Sequence, residues 1–165
     1  MKIRKSIKVI LINLKNEIVL VRVDDQRIVD VNGKYNGPFW NLVGGALEDG
    51  ETPKETALRE IYEEIGIDPN KINLGHEVWH GEVMLQISGD ETLVYQRFFV
   101  ASTTIENLDL SHLTEDEKGR VKNAKWFSLD DIKNIKEKIY PKKLAEYLEP
   151  ILIGNIPKNS IRIEL

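Results

Sequence analysis

Apolar residues in the first part of the chain fall into short, β-branched runs. Lys8–Leu14 and Glu17–Val23 are two such runs, and Lys15-Asn16 separates them, which predicts a β-hairpin. The segment from Asp24 to Pro38 is polar and contains several turn signals, so it predicts a long loop. Phe39–Val43 reads as a short strand leading into two glycines. The pattern therefore predicts three strands and one long loop before residue 44.

Further along the chain, strand patterns alternate with helical ones. Asn73–Ile87 and Glu91–Ala101 flank a good turn sequence and predict a second hairpin, and Ala124–Phe127 predicts a last core strand. A helix-start sequence opens at Ser128. Apolar residues at helical spacing predict an amphipathic helix over about residues 141–153. Strands interleaved with two or three helices predict a layered α/β or α+β domain.

Composition and charge narrow the class of protein. The 165 residues include 23 basic and 27 acidic side chains, a formal net charge of -4, and no cysteine. Such a surface does not favour long nucleic acid as a partner, and a cysteine nucleophile or thiolate zinc site is excluded. No apolar stretch approaches the roughly 18 residues that a membrane span needs. We expect one cytoplasmic domain over residues 1–165, without membrane contact.

The strongest helix signal in the chain begins after residue 51. Thr52 suits the cap position, Pro53 suits the first helical position, and Glu55 completes a box in which Thr and Glu satisfy each other's backbone donors. Gly66 is a natural C-terminal stop. The sequence therefore predicts a helix from about Pro53 to Ile65.

The polar residues of this helix are unusual because they are acidic and clustered. Ile61 and Ile65 share one face, whereas Glu60, Glu63 and Glu64 share roughly the opposite one. Like charges at this spacing repel by a few tenths of a kcal/mol per pair. Clustered carboxylates suit a hard cation such as Mg²⁺. A solvated acidic face is the commoner explanation of an isolated cluster.

The cluster belongs to a longer motif that extends from Gly45 to Ile67. Its order is Gly, five residues, Glu, seven residues, then Arg-Glu-aliphatic-any-Glu-Glu-any-Gly-aliphatic. This order resembles the Nudix box, and chance agreement has a probability on the order of one in a million. The flanking Trp40 and Trp126-Phe127 are similar to the family as well, whereas Val43 stands where many relatives have Pro. Every fixed position of the box is filled: Gly45, Glu51, Arg59, Glu60, Glu63, Glu64 and Gly66.

The resemblance implies the Nudix fold, an α/β/α sandwich around a mixed β-sheet. It also implies hydrolysis of a diphosphate linkage by water attack at phosphorus, with Mg²⁺ as the cofactor and Mn²⁺ as a substitute. The roles that it implies are Glu60 and Glu64 as metal ligands, Glu63 as ligand or base, Gly45 as a carbonyl ligand, and Glu51 as the partner of Arg59. The expected catalytic set is Glu63, Glu64, Arg59 and Glu51.

Residues outside the box, together with the glycine before it, are candidates for binding the substrate. Relatives often place a phosphate-binding cation where Arg22 stands, and a surface residue is an equally open explanation. Trp40, Gly44 and Arg97 are further candidates, although aromatic residues in strands more often belong to the core. Some relatives take the base from a distant loop, which makes Glu115–Glu117 candidates; a solvated acidic loop is the favoured explanation.

The substrate follows only by elimination. The chain lacks the downstream proline of typical ADP-ribose hydrolases, the tyrosine of diadenosine-polyphosphate hydrolases and the zinc module of NADH-type members. A nucleoside triphosphate or a small nucleoside-diphosphate derivative is expected, bound by a monomer or homodimer. The alternative is a catalytically silent Nudix-fold module that binds a nucleotide or effector. The complete set of box carboxylates favours the hydrolase.

Overall fold

The computed structural model describes all 165 residues, and β-strands form most of it. The strands are β1 (Lys2–Ile12), β2 (Ile18–Val23), β3 (Ile28–Val29), β4 (Phe39–Ala46), β5 (Ile72–Ile87), β6 (Asp90–Thr103), β7 (Val121–Phe127), β8 (Lys138–Tyr140) and β9 (Ile161–Arg162). The helices are α1 (Pro53–Ile65), α2 (Glu115–Lys118), α3 (Leu129–Lys133) and α4 (Leu144–Leu152).

The strands form one mixed sheet in which β4 changes partner along its length. Its first half pairs antiparallel with β2, and its second half pairs antiparallel with β1. On the far side of β1 lies β6, which runs parallel to it and forms a long antiparallel pair with β5. The other edge carries β7 against β2 and β8 parallel to β4. Residues from both halves of β4 line the large cleft of the molecule.

Two apolar clusters cover the two faces of this sheet. One contains Ala57, Ile61 and Ile65 of α1, packed on β1, β2 and β4. The other contains residues of α3 and α4, including Leu144 and Leu148, packed on the opposite face. Helices on both faces of a mixed sheet confirm the predicted α/β/α sandwich. None of the helices is both long and apolar enough to cross a membrane.

The predicted hairpins have different outcomes. The second is confirmed, because β5 and β6 pair along almost their whole length and turn between Ile87 and Asp90. The first is confirmed only at its turn, where Ile12 pairs with Ile18. The rest of β1 lies between β6 and β4, partners that are distant in sequence. Local pattern therefore finds the strands, and the sheet order depends on long-range packing.

Several element boundaries differ from the prediction, and the first strand, predicted over Lys8–Leu14, is Lys2–Ile12. The last amphipathic helix begins at Leu144 instead of about 141, because Lys138–Tyr140 pair with β4 and the chain then needs three residues to turn. The predicted loop from Asp24 to Pro38 is largely irregular, but Ile28–Val29 form a short strand against β5. The helix start at Ser128 is confirmed, with the Ser128 and Asp131 side chains bonded to each other's backbone N–H groups.

Candidate active site

Helix α1 has the boundaries and caps that the sequence predicts. The Thr52 hydroxyl accepts from the backbone N–H of Glu55, and the Glu55 carboxylate accepts from the backbone N–H of Thr52. Pro53 occupies the first turn, and Gly66 ends the helix in a left-handed conformation with φ 73°. These caps fix where the helix starts, and therefore where its glutamates lie relative to β4.

Two of the three helix glutamates are buried rather than solvated. Glu60 is 6% exposed and Glu64 is 5% exposed. Glu64 Oε1 accepts a 2.8 Å hydrogen bond from the backbone N–H of Gly44. A solvated acidic face would leave its carboxylates exposed to water, because burial of a charged group is costly unless a partner compensates it. The burial of Glu60 and Glu64 therefore indicates a functional site and not a solvated surface.

Gly45 is required because Glu60 lies directly against its backbone. A Cβ atom at position 45 would stand 2.3 Å from Glu60 Oε1, closer than non-bonded atoms approach. Gly45 thus gives the Glu60 carboxylate room to lie on the sheet, whereas a Cβ atom at Gly44 would clash with the backbone of Ile7 and Lys8 in β1. The sequence marked Gly45 as a box residue, and its side-chain-free contact with Glu60 gives a physical reason for that position.

A third buried glutamate comes from outside the box. Glu117 lies in α2, is 5% exposed, and has a carboxylate oxygen within 4.8 Å of carboxylate oxygens of Glu60 and Glu64. The favoured sequence interpretation, a solvated acidic loop, is wrong for this residue. It holds for the neighbours, because Glu115 is exposed beside Lys118 and Asp116 pairs with Arg120 near solvent. A capping box at Thr114 turns Glu117 inward.

Arg59 connects the box carboxylates. Its Nε and Nη2 atoms donate to both oxygens of Glu51 at 2.7 and 3.0 Å. Its Nη1 atom donates to Glu60 at 3.0 Å and to Glu63 at 3.2 Å. Nη2 also donates to the Ala46 carbonyl at 3.1 Å. The guanidinium is therefore occupied by protein groups, which agrees with a positioning role.

Burial and neighbouring charges shift the pKa values of these carboxylates in different directions. Burial raises the pKa of Glu60 to about 7, and the nearby charge of Glu117 adds to the effect. Burial raises the pKa of Glu64 to about 8, against the opposing charge of Lys8. Burial also raises the pKa of Glu63, although Arg59 works in the other direction. The hydrogen bond from Arg59 lowers the pKa of Glu51 to about 2.

The glutamates line a cleft of about 1110 Å³ that also carries cations. Arg4, Ser6 and Lys8 of β1 line it, and so does Arg120. Lys8 is buried, and its ammonium donates one long hydrogen bond of 3.4 Å to the Leu42 carbonyl. Burial lowers the pKa of Lys8 and of Arg4, and Arg120 lowers the pKa of Arg4 further. The cations lie close to the carboxylates, because the charges of Glu64 and Glu60 raise the pKa of Lys8 and the charge of Glu60 raises that of Arg4, both against the effect of burial.

The predicted substrate-binding residues lie in different places. Gly44 lines the cleft. Trp40 is 4% exposed and packs edge-on against Phe127 in the core. Arg22 pairs with Glu137 at 2.8 Å, and Arg97 pairs with Glu77. None of these last three is among the residues that line the cleft.

The cleft cations were not singled out by the sequence analysis, although a signal was present. Residues 4, 6 and 8 are polar at a spacing of two within a strand, which puts their side chains on one face. Asn41, which also lines the cleft, was missed as well; its Oδ1 atom is buried without a hydrogen-bond partner. No sequence signal of comparable strength marks Asn41.

Comparison with known proteins agrees with this geometry. The family model described as NUDIX domain matches residues 2–148. An 8-oxo-dGTP diphosphatase from Proteus vulgaris is 52% identical over 46 residues, which make up 28% of this chain and 41% of that protein. An RNA pyrophosphohydrolase from Wolbachia sp. subsp. Brugia malayi is 27% identical over 136 residues, covering 72% of this chain and 79% of that protein.

A solved structure shows the same fold. The MutT protein from Methanosarcina mazei Go1 has a TM-score of 0.63 with 23% sequence identity, over 93% of this chain and 96% of that one. The match to the 8-oxo-dGTP diphosphatase spans less than half of that relative's length, whereas the family model spans most of this chain. The chain therefore belongs to the Nudix hydrolase family.

Proposed function

We propose that the protein is a magnesium-dependent hydrolase that cleaves a diphosphate linkage in a nucleoside triphosphate or a small nucleoside-diphosphate derivative. The observation that carries this proposal is the buried group of Glu60, Glu64 and Glu117 in a large cleft. Three carboxylates that repel one another are stable together only if protons or a cation neutralise them. A divalent cation does so without losing the charges that catalysis uses.

The residues present fit such a cation. Glu60, Glu64 and Glu117 would hold it, and the Gly45 carbonyl is a further candidate ligand. All of these donors are oxygens, the ligands that Mg²⁺ prefers, and a site with few protein ligands leaves room for substrate phosphates. When bound, Mg²⁺ neutralises charge on the diphosphate and makes phosphorus easier to attack. Mn²⁺ suits the same donors and is the expected substitute.

The cations of the cleft suit the substrate's negative charge. Arg4 and Arg120 lie close enough for the charge of one to lower the pKa of the other, and Lys8 is buried with a single long hydrogen bond. Like-charged groups of this kind are stabilised by an anion placed among them. We assign the polyphosphate to the space between these cations and the glutamates.

We assign the role of proton acceptor to Glu63. Its side chain is 23% exposed, it lines the cleft, and it is held by Arg59 at 3.2 Å. Burial raises its pKa, which makes it a better proton acceptor near neutral pH. In this scheme water attacks phosphorus, the bond between phosphorus and the bridging oxygen breaks, and the water proton passes to Glu63. Arg59 and Glu51 hold that carboxylate in place.

Several observations favour a nucleotide as the substrate. The two relatives above are an 8-oxo-dGTP diphosphatase and an RNA pyrophosphohydrolase, so their substrates are a nucleotide and a nucleotide polymer. The buried, unpartnered Oδ1 of Asn41 in the cleft is an acceptor that a donor group of the substrate, such as a sugar hydroxyl, would satisfy. The net charge of -4 continues to favour a small molecule over long RNA. A cytoplasmic location and a monomeric or homodimeric state stay predictions.

The test is hydrolysis of a nucleotide panel with and without Mg²⁺. The panel contains nucleoside triphosphates, nucleoside-diphosphate derivatives and a short RNA with a 5′-triphosphate. We expect magnesium-dependent release of phosphate or pyrophosphate from at least one small nucleotide, and loss of that activity in Glu64→Gln. Cleavage of the RNA alone would replace the proposed substrate class by RNA ends.

The alternative is a module that binds a nucleotide without hydrolysing it. Magnesium-dependent binding of nucleotides with no turnover across the panel would establish it. The buried carboxylates and the half-buried Glu63 favour the enzyme, because a module that only binds has no need for a proton acceptor beside the phosphates.

A further inference from the structure

The segment from Pro157 to Leu165 extends the sheet beyond β5. Strand β9 runs parallel to β5, with Ile161 opposite Trp79 and Arg162 opposite His80. The backbone N–H of Ile163 donates to the His80 carbonyl at 2.9 Å. We call residues 157–165 the strap, and its backbone is thus tied to the outer edge of the sheet.

Side-chain contacts also hold the strap against the sheet. The His76 Nε2 atom donates to the Pro157 carbonyl at 2.6 Å, and His80 Nδ1 lies 2.8 Å from Ser160 Oγ. Ile163 is 7% exposed and belongs to the apolar cluster beneath α4. The strap is therefore part of the folded core and not a loose end.

The last residue of the strap reaches the cleft. Leu165 lines the cleft and also packs on the apolar cluster beneath α4. It lies over Gly81 of β5, where a Cβ atom would stand 2.9 Å from Leu165 Cγ and 2.7 Å from the Ile163 carbonyl oxygen. The absence of a side chain at position 81 makes the space that Leu165 fills.

The register of the sheet relates Leu165 to the carboxylates. Gly81 pairs with Gln96, Gln96 pairs with Ser6, and Ser6 pairs with Ala46, so the four residues form one row across β5, β6, β1 and β4. With strands about 4.8 Å apart, Leu165 lies roughly 14 Å across the sheet from Ala46. The Ala46 carbonyl accepts a hydrogen bond from Arg59, which also holds Glu60 and Glu63. These carboxylates therefore lie near the end of the row opposite to Leu165.

We infer that Leu165 is a specificity-determining residue that contacts the nucleoside end of the substrate. This inference rests on the proposed function, which puts the phosphates at the carboxylate end of the cleft. A nucleotide held there extends its sugar and base along the cleft, away from the carboxylates. Val83, Val94 and Phe98 line the cleft together with Leu165. Apolar side chains of this kind hold a flat base by van der Waals contact, with the strap setting the position of Leu165.

Two variants test the contact from opposite sides. Leu165→Ala removes the side chain, and Gly81→Ala displaces it together with the strap backbone, because the new methyl group would stand 2.7 Å from the Ile163 carbonyl oxygen and 2.9 Å from Leu165 Cγ. For each we expect KM for the best nucleoside triphosphate to rise at least about fivefold, with kcat within about twofold of wild type. The ratio of kcat/KM between purine and pyrimidine nucleotides should move towards one.

Matched controls distinguish a lost contact between Leu165 and the nucleoside from a general loss of protein stability. Ile161→Ala changes the same strand at a residue that is 51% exposed and does not line the cleft, so its KM should equal the wild-type value. Hydrolysis of inorganic triphosphate, which has no nucleoside, should be the same in Leu165→Ala and wild type. If Gly81→Ala does not fold, Leu165→Ala decides the matter alone.

The possible failures are distinguishable. An active wild type whose KM and base preference are unchanged in Leu165→Ala would overturn this inference and leave the proposed function intact. A wild type that hydrolyses nothing would overturn the proposed function, and calorimetric binding of nucleoside triphosphates in the presence of Mg²⁺ would then be compared between wild type and Leu165→Ala. Equal affinities, or no binding by either protein, would also reject the role of Leu165.

Discussion

Replacing Glu64 by glutamine keeps the size of a buried side chain and removes its ability to ionise. Burial raises the pKa of Glu64 from 4.5 to about 8. The folded protein therefore binds more protons than the unfolded chain between these pH values. The contribution of protonated Glu64 to the free energy of unfolding is fully present below pH 4.5. It decreases as the pH rises above 4.5 and is lost once the pH has passed about 8. A glutamine at this position does not ionise, so the variant does not lose this stability at high pH.

The change in the free energy of unfolding can be worked out from the pKa shift of Glu64 and from its contacts with Lys8 and Gly44. A shift from 4.5 to about 8 corresponds to an upper limit of roughly 5 kcal/mol in the free energy of unfolding. The variant loses the attraction between Glu64 and Lys8, which offsets part of this gain, while a glutamine oxygen still accepts from Gly44. We expect a net stabilisation of about 1–2 kcal/mol at pH 8.5, or roughly 2–8 °C in Tm. At pH 5 the difference should nearly vanish.

The assay is urea or thermal unfolding of both proteins in EDTA at pH 5, 7 and 8.5. Glu146→Gln is the matched control, since Glu146 is an exposed helical glutamate outside the cleft. Mg²⁺ at ten times its Kd should raise the stability of the wild type by about 1.4 kcal/mol and that of Glu64→Gln by less. A variant that is no more stable than wild type at pH 8.5, or that gains equally from Mg²⁺, would refute this reasoning.

Other substitutions probe the remaining parts of the site. Glu117→Gln should raise the Mg²⁺ concentration needed for half-maximal activity at least about tenfold, as measured by a metal titration; an unchanged midpoint would exclude Glu117 as a ligand. Gly45→Ala should keep its circular dichroism spectrum but lose activity, because the methyl group would displace the Glu60 carboxylate, and wild-type kcat would contradict the close contact. Arg59→Lys loses the two-bond contact with Glu51, so kcat should fall at least about tenfold and unfolding free energy by about 1–2 kcal/mol; equal kcat would show that this contact does not position the site.

Elements with strong local signals were predictable from the sequence. Helix α1 has its predicted boundaries, because Thr52, Pro53 and Gly66 act on neighbouring backbone groups and need no distant partner. The pairing of β5 with β6 was also predictable, since the turn between them is short. The parallel pairing of β1 with β6 was not, because about 90 residues separate the two strands and no local pattern specifies the partner.

The same limit applies to the site. The box glutamates could be found because their spacing is a property of one helix. Glu117 differs from Glu115 in sequence only by its capping-box spacing from Thr114, and the fold decides that it is buried beside Glu60 and Glu64. Trp40 lies in the core, the place that sequence reasoning favoured for a strand aromatic over its role as a substrate-binding candidate. Leu165 carries no motif at all, and only the path of the strap brings it to the cleft.

The central claim is that Glu60, Glu64 and Glu117 bind a divalent cation that takes part in cleavage of a diphosphate. The most direct measurement is anomalous diffraction from crystals of the protein soaked with Mn²⁺ and a non-hydrolysable nucleoside triphosphate. We predict an anomalous peak among these three carboxylates, within coordinating distance of the nucleotide's phosphates. A nucleotide bound in the cleft with no peak there, or a peak held by other residues, would contradict the account.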